Sequence, residues 1–587
     1  MRKFEHIGDM IEYVGHHYDN PKALNIKTEF GWTHISTKAF IYDVKRLACG
    51  LISMGLRRGD KVGILANSSP YWTVADLAII LAGGVSVPLF ANISDDNFVY
   101  QVAQSNLRHL FIAGVDQWEM YDRHRNLFQT VIGFDEVVPD SGAVSYVEAL
   151  QKGEQLWAKE PQLYDEMIKQ MDADDVATII YTSGALGVPK GAMLSHRNLL
   201  HLVSKEDFHW ENKDDRYLSL LPLAHVFARQ INFIMLGRGI SIYHLNELPG
   251  IPDTCKEVRP TIMIVVPRLL EKMYSNMVSA VDRNSYLKKK IGKWAFDLAN
   301  DQSNSFIKRF LLHPIADFLV YSTLRRALGG SFRVILCGGA ALDPQLNHFF
   351  VDIGYPIYEG WGLTECSTIC VNRPGKVKIG TVGAVLGESK IKTSEIGEIL
   401  VKGPTVMKGY YRNEQATEDV INEDGWFHTG DKGVIDDEGF LKLVGRVKEQ
   451  FKLSNGEYVV PTPMEQSLQS SHLIDMAMVI GEKQKYASAL LFPDFEVLKA
   501  LKSQHKQSHL SDEEFLHSSF VQNEMKQVLE KVNRGVNDWA RLEYYQFIPH
   551  RPSVDGGELT PTMKLRRNSV IEKYNHLVEL IYPKELV

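Results

Sequence analysis

Cysteine is scarce in this chain. Cys49, Cys255, Cys337, Cys366 and Cys370 are the only five among 587 residues. An odd, scattered set argues against a disulfide framework and fits a reducing compartment. Cys366 and Cys370 stand four apart, but no second Cys/His pair accompanies them, which argues against a zinc site. Long apolar runs are also missing. The longest, Leu77 to Phe90, is broken by Gly83, Gly84 and Pro88 and falls short of the roughly 20 residues of a membrane span. The first residues (Arg2, Lys3, Glu5, Asp9) are charged and hold no signal-peptide core. Nor is there a basic excess. Sixty-five Lys and Arg against 72 Asp and Glu leave a net charge of -7, with no domain-sized basic block, which argues against nucleic-acid partners. Together these absences lead us to expect a cytoplasmic protein.

The length of 587 residues implies several folding units, and a hydrophobic content of 44% is enough for a large core. Lys61–Leu65 reads as a buried strand, Tyr71–Leu81 as a helix and Gly84–Leu89 as another strand. Strand, helix, strand implies a parallel sheet with helices on its faces. The same alternation recurs over Val176–Leu200, Thr261–Tyr274 and Arg333–Gly354, without a fixed repeat. From Ile396 the chain turns to short strands, such as 397–403 and 433–440, predicting a β-rich subdomain. Val459–Val587 reads as a small α+β domain, with the boundary in the charged connector Gly445–Glu449. The predicted architecture is therefore α/β: a large multi-layer domain over 1–447 and a smaller α+β domain over 448–587, joined by a hinge.

One stretch is basic and helical. Between 288 and 328, Lys288, Lys289, Lys290, Lys293, Lys308, Arg309, Arg325 and Arg326 alternate with Trp294, Phe296, Phe306, Phe310, Leu311 and Phe318. It suits either an amphipathic surface making peripheral contact with an anionic membrane or a helical subdomain with solvated lysines.

The most specific local pattern is Thr182-Ser-Gly-Ala-Leu-Gly-Val-Pro-Lys-Gly191, between the apolar run at 176–180 and a helix start at Ser195. Three glycines, two hydroxyls and a lysine in what reads as a strand-to-helix turn suit polyphosphate. Glycine lets backbone N–H groups come close, and lysine adds a point charge. The spacing is not that of the P-loop, whose lysine is followed by Ser or Thr. Further on, Arg333–Leu342 runs a strand into a glycine turn at Gly338-Gly339-Ala340, leaving room for a flat ligand. Tyr358-Glu-Gly-Trp-Gly-Leu-Thr-Glu-Cys366 then offers an aromatic to flank a base (Trp361), a hydroxyl for phosphate (Thr364) and a carboxylate suited to Mg²⁺ (Glu365). Gly425–Asp431 ends in a carboxylate that could accept both ribose hydroxyls. Arg446 and Lys448 follow, and Lys564 projects from a Pro/Thr-rich turn at 557–567.

In this order the blocks resemble the adenylate-forming superfamily, whose signature Thr/Ser-Ser/Thr-Gly-Thr-Thr-Gly-x-Pro-Lys-Gly matches 182–191 except at Ala185 and Leu186. Leu221-Pro-Leu-Ala-His-Val-Phe-Ala-Arg229, the run from Arg259 to Tyr274, and Gly557-Glu-Leu-Thr-Pro-Thr-Met-Lys564 look like the long-chain acyl-CoA synthetase branch. The resemblance implies two half-reactions, a fatty acid with ATP giving acyl-AMP and pyrophosphate, then CoA giving acyl-CoA and AMP. It implies ATP, Mg²⁺ and coenzyme A as partners of the fatty acid. It further implies that Thr182, Ser183, Gly184, Gly187 and Lys190 hold phosphates, and that Gly338, Gly339, Ala340, Glu359, Gly360, Trp361, Thr364, Asp431 and Arg446 complete the AMP site. Lys564, Glu365 and Thr182 become the catalytic set, with Glu365 and Thr182 toward the metal. Lys448 and Lys452 fall at the hinge and CoA side, and His225 at the acyl tunnel. Ala185 and Leu186 each remove a hydroxyl whose bond to a charged group is worth about 1.5–3 kcal/mol. Two other readings therefore stand beside the ligase: transfer of the acyl group to a carrier protein, and a non-catalytic nucleotide- or acyl-binding homologue. A homodimer is left open.

Overall fold

The computed structural model describes residues 4–135, 141–182, 188–203, 212–246, 250–303, 308–447 and 449–583. They fall into two compact units. The first holds the described residues up to Thr182, then Pro189–Ile391 and Val401–His428; the second holds Lys392–Leu400 and Thr429 onward.

The first unit contains two large sheets. One runs Gly409–Tyr410, Lys190–Ser195, Val176–Thr182, Val85–Leu89, Lys61–Leu65, His109–Ile112, Thr130–Gly133, Val144–Ser145. From Val176–Thr182 to Val144–Ser145 every pairing is parallel. The other runs Ala384–Val385, Ser367–Val371, Ile357–Leu363, Val334–Cys337, Ile262–Val265, Arg216–Ser219, Ser241–His244, Leu24–Thr28, Gly31–Ile35, with its six central strands parallel. The expected strand–helix–strand over 61–89 is present as Lys61–Leu65, Pro70–Leu81 and Val85–Leu89. Ser69 caps that helix and Pro70 opens it.

Two helices are buried nearly all round, enclosed by other layers, and are mostly apolar as such helices are. In Pro70–Leu81 only Tyr71 escapes burial, and in Val226–Gly237 only Phe227. Their two charged residues pair with each other. Arg229 Nε and Nη2 donate to the two Asp76 carboxylate oxygens at 2.8 and 2.5 Å, and Nη1 donates to Thr178 Oγ1 at 2.7 Å. Ser86 Oγ adds a 2.6 Å bond to Asp76, so the buried charges are bonded from several sides.

One local expectation is corrected. The glycine-rich stretch after Thr182 does not lead from a strand straight into a helix. Lys190–Ser195 is a second strand, antiparallel to Val176–Thr182, and the helix His196–Leu200 starts only after it. Gly191 explains the close pairing, because a Cβ there would lie 2.6 Å from Ile179 Cγ2. Ser195 is the N-cap as expected, in a capping box with Asn198.

Lys390–Thr393, Glu398–Lys402, Phe427–Ile435 and Leu441–Arg446 form the expected small β-rich element. Beyond it, Ile474–Ile480, Ala487–Pro493 and Leu542–Phe547 make a three-stranded sheet that feeds two cores by strand alternation. Ala477, Val479, Ala489 and Leu491 face helices Pro461–Gln469 and Ser519–Arg534, while Met478, Ile480, Leu490 and Phe492 face Arg567–Lys573 and Asn575–Ile581. Among the described residues, no helix is long and apolar enough to cross a membrane.

Candidate active site

In the first unit, the C-terminal ends of two neighbouring parallel strands supply the glycine platform. Val334–Cys337 runs into Gly338, Gly339 and Ala340, and Ile357–Leu363 carries Glu359, Gly360 and Trp361 beside it. A Cβ on Gly338 would sit 3.3 Å from both Gly360 O and the Phe227 ring, so a side chain there would be tight against the neighbouring strand. Gly339 (φ +83°) and Ala340 are exposed. Crevices outside the carboxyl ends of parallel strands are where α/β sheets bind ligands.

Trp361 is buried in its strand, and Thr364 and Glu365 are half-buried on the hairpin turn that follows. Gly362 makes that turn possible, since a Cβ there would lie 1.8 Å from Ser367 O. Glu359 points away from solvent, and its Oε1 accepts a 2.8 Å bond from Asn347 Nδ2. Burial pushes its carboxyl up to about 7, with the Asn347 bond and backbone bonds from Leu342 and Gly380 only partly opposing that.

Glu365, Lys190 and Thr182 are linked through a residue that no sequence motif singled out. Tyr410 Oη donates to Glu365 Oε1 at 2.8 Å, and the Lys190 ammonium lies 5.0 Å from the Tyr410 ring centroid. Thr182 Oγ1 donates to Lys190 O at 3.3 Å across the hairpin. Burial, and then the Glu365 charge, raise the Tyr410 phenol well above its ordinary value, so it stays a hydrogen-bond donor. The signal available in the sequence was faint: a Gly-Tyr-Tyr-Arg run at 409–412, with Tyr410 45 residues from its carboxylate partner. Among the described residues no cluster of three His, Cys, Asp or Glu could hold a metal by itself. Glu365 and Thr182 are hard oxygen donors, the kind that suits Mg²⁺ completed by phosphate oxygens and water.

His225 is half-buried and caps helix Val226–Gly237, its Nδ1 accepting from Phe227 N at 3.2 Å. Ser183, Gly184 and Gly187, with Ala185 and Leu186, lie outside the described residues, as does Lys448.

In the second unit, Asp431 and Arg446 face each other in register on antiparallel strands and pair at 2.9 Å. Lys564 sits on a tight turn, closed by Thr560 N donating to Lys564 O (2.8 Å) and Lys564 N donating to Thr560 Oγ1 (3.1 Å). Met563 takes the left-handed backbone within it, φ +61°. The residue as a whole is exposed, but crowding at its amine and then the Arg446 charge lower its pKa, against the pull of Asp431 and Glu449. Electrostatically Lys564, Arg446 and Asp431 thus form one group. Lys452 is exposed nearby in sequence, its ammonium 5.4 Å from the Tyr458 ring centroid.

The family model described as AMP-binding enzyme matches residues 16–411, and that of the AMP-binding enzyme C-terminal domain matches residues 448–586. A long-chain-fatty-acid–CoA ligase of Mycobacterium bovis is 32% identical over 94% of this chain and 93% of its own length. A human long-chain-fatty-acid–CoA ligase is 27% identical, covering 97% of this chain and 84% of its own. Among solved structures, the adenylation domain of a Mycobacterium chelonae carboxylate reductase superposes with TM-score 0.76 at 20% identity, covering 99% of this chain and 91% of that one. The anthranilate CoA ligase AuaEII, solved with anthranoyl-AMP, superposes with TM-score 0.73 at 16% identity, covering 99% of both chains. The chain belongs to the AMP-binding, adenylate-forming enzymes, in their fatty acyl-CoA synthetase branch.

Proposed function

We propose that the protein is an AMP-forming ligase that activates a long-chain fatty acid with ATP and passes the acyl group to CoA. The observation that carries this reading is the contact chain Thr182–Lys190–Tyr410–Glu365 in a chain of this family. Lys190 lies over the ring of Tyr410 and Glu365 accepts from its hydroxyl, a cation and a metal-binding carboxylate on one tyrosine that suit triphosphate. Mg²⁺ bound by Glu365 and the ATP phosphates would offset the charge that develops at the α-phosphate. Gly338–Ala340 and Gly360–Thr364 would seat the adenosine, with Trp361 stiffening the strand under it. Asp431 would accept the ribose hydroxyls, and Arg446 would hold Asp431 while facing the same sugar. Lys564 would bring the fatty carboxylate and the α-phosphate together, so that the carboxylate oxygen attacks phosphorus and pyrophosphate leaves.

In the second half-reaction the CoA thiol attacks the acyl carbon and AMP departs. We assign the domain boundary to 447/448, with Lys448 as the hinge and Lys452 on the CoA side, so that rotation there would exchange Lys564 for the thioester-forming surface. His225 is placed at the acyl tunnel. Each buried CH₂ is worth about 0.8 kcal/mol, roughly fourfold in affinity, so tunnel depth would set chain length. We place the protein in the cytoplasm.

ATP–pyrophosphate exchange with a panel of fatty acids, followed by thioester formation, tests the reading. Exchange and acyl-CoA are expected with long-chain acids, and Lys564→Ala should lower exchange by orders of magnitude. Absence of exchange with every acid would overturn the ligase reading, and exchange without acyl-CoA would point to another acceptor. Threonine at 185 and 186 should raise the rate if the two absent hydroxyls matter.

A further inference from the structure

In the second unit Lys564 stands at the exposed tip of a short hairpin, beside Met563, which is 53% exposed. Within the hairpin, Leu559 and Leu565 form one antiparallel bridge, Arg566 N donates to Glu558 O at 2.8 Å, and Thr560 closes the turn. Two strands this short are marginal by themselves, so the aim of the tip is set where the strands enter the domain. Each foot of the hairpin ends in a charged side chain turned inward. At one foot Glu558 is 2% exposed. Its Oε1 accepts from Tyr574 Oη at 2.9 Å and from Lys573 Nζ, and its Oε2 accepts from Ser553 N at 3.3 Å. At the other foot Arg567 Nη1 donates to Glu465 Oε1 at 2.6 Å, and Nη2 donates to Val479 O.

This second foot is tied to one place in the sheet. Val479 N donates to the same Glu465 oxygen at 2.7 Å, so Glu465 and Arg567 together take both polar groups of one residue. Val479 belongs to Ile474–Ile480, the edge strand of the three-stranded sheet, and the pair stands where that edge would otherwise lack a partner. The two side chains are only 14% and 20% exposed, and charge-assisted bonds from an arginine fork are both strong and directional. Glu465 lies on Pro461–Gln469, the first helix after the 445–449 connector, and Arg567 comes three residues after Lys564. A bonded path thus runs from the sheet edge through Glu465 and Arg567 to the lysine. Misplacing a reacting group by ~1 Å can cost about 100-fold in rate. We propose that Glu465 and Arg567, with Glu558 at the other foot, are positioning residues that aim Lys564 for acyl-adenylate formation and take no part in thioester formation. This deepens the ligase reading and rests on the role given there to Lys564.

The test measures the two half-reactions separately on the full chain: ATP–pyrophosphate exchange with a long-chain fatty acid, and acyl-CoA formation from synthetic acyl-AMP and CoA. Glu465→Gln should lower kcat for exchange about 10- to 100-fold, while KM for ATP and the acyl-AMP half-reaction stay within about twofold of wild type. Glu558→Gln should lower exchange in the same selective way, by about tenfold, since glutamine can still accept from Tyr574. Damage to the fold would instead lower both half-reactions together. In a Lys564→Ala background, Glu465→Gln should lower exchange no further, because a residue that acts through the lysine then has nothing to position. Both glutamine variants exchanging as wild type does would overturn the proposal. So would an acyl-AMP half-reaction that falls in step with exchange in both, or losses from Glu465→Gln and Lys564→Ala that multiply. Wild type without exchange, or Lys564→Ala with undiminished exchange, would overturn the ligase reading itself, and this proposal with it.

Discussion

Each unit of the molecule holds one arginine–aspartate pair of note, and the two pairs have little else in common. In the first unit Arg229 and Asp76 are 1% and 2% exposed, bonded on both carboxylate oxygens and surrounded by Thr178 and Ser86. In the second unit Arg446 and Asp431 meet at 2.9 Å with the arginine 43% exposed. The closed pair sits inside two helices that are buried all round, where an unpaired charge would be costly. The open pair lies on neighbouring strands with its guanidinium facing solvent, where an ion pair is worth little to stability but can still meet a ligand. Burial, rather than residue type, separates a charge closed into the architecture from one left open to a ligand.

The comparison can be broken most severely at Arg229. Arg229→Met should cost about 3–5 kcal/mol in denaturant unfolding, because it strands the Asp76 carboxylate in the core. Asp76→Leu/Arg229→Met should recover most of that loss, since a packed apolar pair avoids desolvation altogether. A single-variant cost below about 1 kcal/mol would place the closed pair with the surface pairs.

Glu359 is the next largest case, a second closed polar group of the first unit. Its carboxyl titrates near 7 in the fold against 4.5 as a free side chain, so folding favours the protonated form. The stability this contributes is full below about pH 4.5 and is lost as pH rises through 7, up to about 3 kcal/mol. Glu359→Gln should therefore flatten the stability profile between about pH 5 and 8, read from unfolding midpoints at each pH. A wild-type profile already flat over that range would place Glu359 in a wetter setting.

Arg446→Gln should show the smallest effect on stability, under about 1 kcal/mol, while strongly lowering ATP–pyrophosphate exchange. A stability loss matching that of Arg229→Met would make the pair architectural in both units.

Much of this organisation was legible in the chain. Alternating strand and helix runs at 61–89, 261–274 and 333–354 announced parallel sheets, because parallel strands need helical crossovers. Glu365, Asp431, Arg446 and Lys564 stand out because each closely follows glycine or proline turn residues, in the order of the family's motifs. The stretch after Thr182 was misread as leading directly to a helix. Local periodicity cannot distinguish a six-residue strand from a connector when its partners, Val176–Thr182 and Gly409–Tyr410, are set by register rather than by neighbours in sequence. Tyr410 escaped notice for the same reason, since its bond to Glu365 spans 45 residues.

The sequence by itself determined the fold class and the family, because hydrophobic period, turn chemistry and ordered short motifs are properties of adjacent residues. Tertiary structure alone decided that Tyr410 joins Lys190 to Glu365, that Arg229 closes on Asp76, that Glu359 is desolvated, and that Phe318 faces outward. Each of those depends on which distant segments come together and on how much water their packing leaves behind.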